Sequence, residues 1–180
     1  MGRTSRKDEI KDALKALASE CPYDKITIEE IASKSGLNRK TFYYYFSDKK
    51  DVVKYTIFSE FFDKVGNDVK KNAREYLESF LSYLYKEKVF YKRIFSETRE
   101  EEKMIKESFK NALERLISPY MNITCPFSGH NAERIFMVSF FTDALMMSIE
   151  NWIVKDDGST PEVMAKRFRY IASLLFPSSH

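Results

Sequence analysis

Thr27-Ile-Glu-Glu-Ile-Ala-Ser-Lys-Ser-Gly-Leu-Asn-Arg-Lys-Thr-Phe-Tyr-Tyr-Tyr-Phe-Ser-Asp-Lys-Lys-Asp-Val52 writes out the ends of three successive helices in side-chain chemistry. Thr27 is an N-cap and Glu30, three residues on, is its capping-box partner. Ile26 and Ile31 take the two positions of a hydrophobic staple around that cap. Gly36 supplies the left-handed residue that closes this short helix, and Leu37 is placed to pack back on its last turn. Asn38 can cap the next helix at once, over Arg39 to Phe46. Phe42 and Phe46 share one side of it at i and i+4, which assigns them to the core and leaves Arg39, Lys40, Tyr43 and Tyr44 on other sides. Ser47 or Asp48 ends that helix and caps a fourth, expected from Lys49 through Val52, Val53, Thr56, Phe58, Phe61 and Phe62.

Two short helices joined by a glycine turn form the architecture in which the second helix enters the DNA major groove. The residue types suit that task. Arg39 can donate two hydrogen bonds to guanine, Lys40 and Thr41 can reach bases or phosphates, and the tyrosines offer rings and hydroxyls. The charge is also segregated. Residues 1–54 hold 12 Lys/Arg against 9 Asp/Glu, whereas residues 55–180 hold 18 of each, so the whole net charge of +3 sits in the N-terminal third. Lys34, Arg39, Lys40, Lys49 and Lys50 face only Asp48 between positions 34 and 50, and a phosphate backbone is a fitting partner. A solvated surface would account for that local surplus equally well, so charge alone decides little.

Outward from this stretch the chain reads as all-α, with helical spacing of apolar residues and no sustained alternation of period two. Ile10, Ala13, Leu14, Leu17 and Ala18 form one stripe of a first helix over about Ser5 to Ser19, ended by Pro22. Leu77, Phe80, Leu81, Leu84 and Tyr85 form another, followed by a short segment ending near Phe95. A helix is expected over Glu100 to Ser118, and a loop over Tyr120 to His130. Two last helices, Ala132 to Lys155 and Pro161 to Phe176, are apolar around more of their circumference than a one-sided helix needs, and so invite a partner. Tyr83, Phe90, Tyr91, Phe95, Phe109, Phe136 and Phe140 are assigned to core packing before pocket lining. Asp143, inside an apolar helix, is assigned to an exposed face.

At 180 residues, 32% charged and 43% hydrophobic, the composition is that of an ordinary folded chain of at most two closely associated parts. Cys21 and Cys125 lack metal-ligand spacing, and reduced thiols are the default. Neither a secretory signal nor a membrane-spanning window is recognised, so a cytoplasmic location is expected. No phosphate-binding glycine loop or metal-ligand spacing supports an enzyme, and no catalytic residue, metal or cofactor is assigned. The competing readings are a helical interaction module without DNA binding and, third, a small enzyme relying on His130.

The 27–52 stretch resembles the DNA-binding signature of the TetR/AcrR family of transcriptional regulators: an Ile-Ala pair, a glycine turn, a Thr-x-Tyr-x-x-Phe-like helix and a following lysine, in this order. The resemblance implies that Arg39, Lys40, Thr41 and Tyr43 face the major groove and that Tyr45 touches a phosphate. It also implies that Lys49 anchors the DNA backbone at the start of helix four and that Thr27 adds a phosphate contact. Tyr44 is evenly divided between readout and packing and is kept among the candidates. Asn38 stands where Ser is commoner, which preserves the cap, and Lys40 replaces a usually small residue. On the phosphate reading, Lys49→Ala weakens all sequences about equally and lowers the salt slope by about one.

The run Tyr76 to Phe95 and Trp152 are similar to a Firmicutes-type TetR subgroup that includes dihydroxyacetone kinase regulators. The resemblance implies a helix-turn-helix domain over 1–54 and a helical body over 55–180 that binds a small-molecule effector and dimerises through its last two helices. It thereby implies a homodimer on a palindromic operator, acting as a repressor that the effector releases. No residue is assigned to the effector.

Overall fold

A computed structural model of the chain describes residues 5–60, 73–96 and 131–175, with residues 103, 107, 110, 111, 113 and 114 between them. Eight α-helices and no strand occur among these residues. They are α1 (Arg6–Glu20), α2 (Ile28–Lys34), α3 (Arg39–Tyr45), α4 (Lys49–Thr56), α5 (Ala73–Lys86), α6 (Lys88–Phe95), α7 (Asn131–Lys155) and α8 (Pro161–Leu175). The loop expected at Tyr120 to His130, Phe61, Phe62, Phe109, Cys125 and most of the helix expected at Glu100 to Ser118 lie outside the described residues.

The first four helices start and stop where their caps require. Ser5 Oγ accepts from the Asp8 N–H at 3.2 Å to open α1, whose stripe Ile10, Ala13, Leu14 and Ala18 is buried. A single 3-10 turn, Tyr23–Lys25, then leads to α2. Thr27 and Glu30 form the complete capping box: the Glu30 N–H donates to Thr27 Oγ1 and the Thr27 N–H to Glu30 Oε2. Gly36 has φ 69°, and the pair of bonds from Leu37 N–H to Ala32 O and from Gly36 N–H to Ser33 O closes α2 with both orphan carbonyls satisfied. Asn38 Oδ1 takes the Thr41 N–H at 2.8 Å, and Asp48 Oδ1 takes the Asp51 N–H at 2.9 Å. The helix expected to reach Phe46 stops one residue earlier, because Phe46 turns to an extended backbone as C-cap.

Packing follows these joints. α1 lies against α2 and α4, α2 against α3, and α6 reaches back to α1. In the body α5 packs on α8 and α6 on α7. Between α7 and α8, Asp156 (φ 52°) and Gly158 (φ 75°) make the turn, which the Trp152 indole N–H secures by donating to Ser159 O at 2.9 Å. Asp143 is mostly exposed, as expected, and pairs with Lys110 at 2.7 Å.

Two expectations need correction. The fourth helix does not continue as an α-helix: after Thr56 the chain widens to a π-type turn over 57–60. Phe58 is exposed, while Glu60 is only 4% exposed and continues the buried side of Val53, Thr56 and Ile57. Phe136 and Phe140, assigned to core packing, are 66% and 55% exposed and stack on each other with ring centroids 6.1 Å apart. The i,i+4 spacing put them on one side of α7 but said nothing about which side faces inward. Phe90, Tyr91 and Phe95 are buried as expected.

Buried charges converge on Glu60. Glu60 accepts from Tyr83 Oη at 2.6 Å and Lys15 Nζ at 2.9 Å, with Lys11 Nζ at 3.3 Å. Tyr83 Oη lies 2.8 Å from Tyr91 Oη, and Lys15 also meets Glu87 at 2.9 Å. Burial raises the phenols of Tyr83 and Tyr91 far above their ordinary range, so both stay protonated and can donate. Burial alone would raise the Glu60 carboxyl too, but hydrogen bonds from Tyr83 and Lys15 and the charges of Lys15 and Lys11 outweigh it and hold the group ionised.

Candidate nucleic-acid interface

α3 is fixed from behind and open in front. Phe42 is fully buried and Phe46, just past the helix end, is nearly so; both lie in the core with Ile31, Ala32 and Val52. That anchor leaves Arg39, Lys40, Tyr43 and Tyr44 exposed together, Tyr43 at 47% and Tyr44 at 81%. At this exposure Tyr44 does not pack into the core.

The exposed residues are partly ordered by one another. Arg39 Nη2 donates to Tyr43 Oη at 3.4 Å, and its guanidinium carbon stands 5.6 Å from the Tyr43 ring centroid. Tyr44 and Tyr45 meet edge to face at 4.8 Å, with Tyr45 half-buried against the core. No acidic residue lies in the first turn of α3, where Arg39, Lys40 and the helix N-terminus all favour anions.

Two of the expected hydroxyl donors already have partners. Thr41 Oγ1 lies 3.1 Å from Asn38 Oδ1, inside the cap of its own helix. Thr27 Oγ1 donates to Glu30 Oε2 at 2.8 Å. The bonds from the Thr27 backbone and side chain hold the Glu30 carboxyl below its ordinary value, with the charge of Lys49 as a smaller cause. Each threonine oxygen still has lone pairs but offers no spare proton in this arrangement.

Lys49 departs furthest from expectation. Its ammonium turns inward to the carbonyls of Tyr23, Ile26 and Asp24, at 2.7, 3.0 and 3.2 Å, and stands 4.4 Å from the Tyr23 ring centroid. Tyr23 was not among the candidates, and nothing in its sequence context marks it. Lys7, also unforeseen, lies over the Phe46 and Tyr55 rings at 5.8 and 5.4 Å.

Among the described residues, no group of three or more His, Cys, Asp or Glu side chains could hold a metal ion, and no helix is long and apolar enough to cross a membrane. His130 lies outside the described residues.

A capping-box helix packed by Ile31 and Ala32, a glycine turn and an outward cationic, aromatic helix define a helix-turn-helix protein of the transcriptional-regulator class. Residues 10–56 match the bacterial regulatory proteins of the tetR family, and residues 71–174 match a transcriptional regulator C-terminal region of the TetR type. The chain belongs to the TetR family. No protein of curated function matches its sequence.

Solved structures agree on the fold. The dihydroxyacetone kinase operon activator DhaS is 19% identical and superimposes over 95% of this chain and 96% of its own with a TM-score of 0.71. The regulator FadR from Bacillus subtilis, in complex with stearoyl-CoA, is 16% identical over 96% of this chain and 99% of its own, at 0.63. Thermus thermophilus FadR, in complex with lauroyl-CoA, is 15% identical over 97% of this chain and 96% of its own, also at 0.63.

Proposed function

We propose that the chain is a cytoplasmic, homodimeric repressor that holds a palindromic operator through α3 and is released by a small-molecule effector bound in its body. The observation that carries this reading is the outward face of α3, where Arg39, Lys40, Tyr43 and Tyr44 stand exposed on a helix anchored by Phe42. Arg39, Lys40, Thr41, Tyr43 and Tyr44 meet the major groove, with Arg39 matched to a guanine edge. Tyr45 donates its hydroxyl to a flanking phosphate, and Thr27 does so by turning its hydroxyl from Glu30 to the DNA. Lys49 anchors the DNA backbone at the start of α4, its ammonium leaving the carbonyls of Tyr23, Asp24 and Ile26 that hold it in the free chain.

The DNA-binding domain spans 1–54 and the body 55–180. Dimerisation uses α7 and α8, which expose Phe136, Phe140, Met147, Tyr170 and Ile171, more large apolar surface than a solitary subunit has reason to keep in water. A twofold dimer sets two copies of α3 about 34 Å apart, one turn of DNA, and so asks for a palindrome.

Selection from a random-sequence duplex library with the purified full chain tests the reading. Enrichment of a two-half-site palindrome is the expected result. Retention of the library without enrichment would leave only charge-driven binding and remove the operator. Run-off transcription from a promoter carrying the selected site then reads polarity: the account expects fewer transcripts as protein is added.

A further inference from the structure

α3 carries its charge at one end. Arg39 and Lys40 open the helix, and no basic residue stands in its last turn, where the unpaired carbonyls add partial negative charge. Its seven residues make a rod about 10 Å long, close to the major groove's width of about 12 Å. A helix of that length lying across the groove brings its two ends to the two opposite backbones. The N-terminal end meets its wall with cations. The C-terminal end offers only tyrosine hydroxyls, and a phosphate there finds no counter-charge on α3 itself.

α1 supplies one. Phe46, the C-cap of α3, and Tyr55 of α4 lie with ring centroids 5.5 Å apart, and Lys7 Nζ stands over both, at 5.8 and 5.4 Å. The Tyr55 ring is itself held from α1, its hydroxyl donating to Asp8 Oδ1 at 3.3 Å. These rings place the ammonium but take none of its N–H donors in a hydrogen bond. Lys7 is exposed and, among the described residues, makes no hydrogen bond or ion pair. The neighbouring carboxylates are engaged elsewhere, Asp8 with Lys11 and Glu9 with Arg6. A cation with open donors, held beside the electronegative end of the recognition helix, suits an anionic oxygen. Lys7 precedes residues 10–56 and so is no part of the match to the family.

We propose that Lys7 holds a DNA phosphate at the C-terminal end of α3, so that each recognition helix is clamped to both walls of the groove. The proposal rests on the DNA-binding reading of α3 and adds a contact from α1 to it. The ammonium swings from the ring faces to the phosphate on its flexible stem, on the same wall as the Tyr45 hydroxyl. Such a contact adds affinity and seats α3 across the groove, but it reads no base.

The test compares wild type, Lys7→Met and Lys7→Arg on the library-selected duplex and on a random-sequence duplex over a salt series, below the melting temperature of each variant. Methionine keeps an apolar stem over the rings and removes the charge. For Lys7→Met the salt slope is expected to fall by about one per subunit on both duplexes, with the ratio of selected to random affinity unchanged, while Lys7→Arg keeps the wild-type slope. Neutral methylphosphonates placed one at a time in the selected duplex then locate the contact. One position per half-site is expected to weaken wild type about three-fold and to leave Lys7→Met unaffected.

An unchanged slope in Lys7→Met, with wild type still selecting its site, would overturn the proposal alone and leave Lys7 a packing role on Phe46 and Tyr55. A slope lowered equally in Lys7→Arg would overturn it too, since the charge would then not be what matters. Wild type that binds no duplex would defeat the DNA reading, and the proposal with it.

Discussion

Gly36 and Lys40 show how differently single residues serve the same short segment. At Gly36 an added Cβ would meet nothing within 4 Å, so Gly36→Ala suffers only from the left-handed backbone at φ 69°. The expected cost is about 1–2 kcal/mol, seen as a lower denaturation midpoint with the unfolding slope unchanged, and Gly36→Asn should lose less. Lys40 contributes nothing to that midpoint because its side chain is exposed on the open face of α3. Lys40→Ala is instead expected to weaken binding to all duplexes alike and to lower the salt slope by about one. A change confined to one base position would place Lys40 on a base edge. Residues of the first kind were legible before the structure, since Thr27, Glu30, Gly36 and Asn38 act on backbone groups only a few residues away and local chemistry suffices to read them. Lys49 was not: its partners are 23 to 26 residues back along the chain, and a lysine beside a helix start looks the same whether it points to solvent or inward.

Between elements, the Glu60 cluster is the polar link from α1 to α5 and α6. Without Glu60, Lys15 keeps Glu87 and Lys11 keeps Asp8, but both lose a charged hydrogen-bond acceptor, so Glu60→Leu is expected to destabilise the fold by about 1–3 kcal/mol. Its pH dependence has a definite sign. The folded carboxyl lies below its ordinary value, so its stabilisation is complete above the unfolded value of about 4.3 and is lost as the pH falls further, through the folded value. Thermal melts of wild type should therefore drop below about pH 4.3, and Glu60→Gln should flatten that part of the profile. An unaltered acid limb in Glu60→Gln would mean that other carboxylates, such as Asp8 or Asp51, set it. Helical spacing from Val53, Thr56 and Ile57 carries Glu60 onto the buried side, but an apolar pattern passes over a glutamate and does not say that Lys11, Lys15 and Tyr83 meet it there.

For the molecule as a whole, the sequence was most informative where helices end and least where they meet. The all-α class, the capped N-terminal helices and the α3 candidates follow from local signals, and the wide apolar circumference of α7 pointed to a partner surface. Which of its aromatics face outward required the packed body. The exposed Phe136 and Phe140 stack makes the double variant Phe136→Glu, Phe140→Glu the natural probe of assembly. It should sediment as a monomer with helicity retained, and should lose operator affinity because one recognition helix replaces two. A dimer that survives this change would move the interface elsewhere on the body.

The central claim, that the outward face of α3 reads DNA, is tested most directly by binding isotherms of wild type and Arg39→Ala on the selected palindrome and on its single-base variants. The account predicts a loss of about 1–3 kcal/mol per half-site contact, with preference relaxed at one symmetric pair of guanines and retained elsewhere. Equal affinity and equal sequence preference in the two proteins would contradict it.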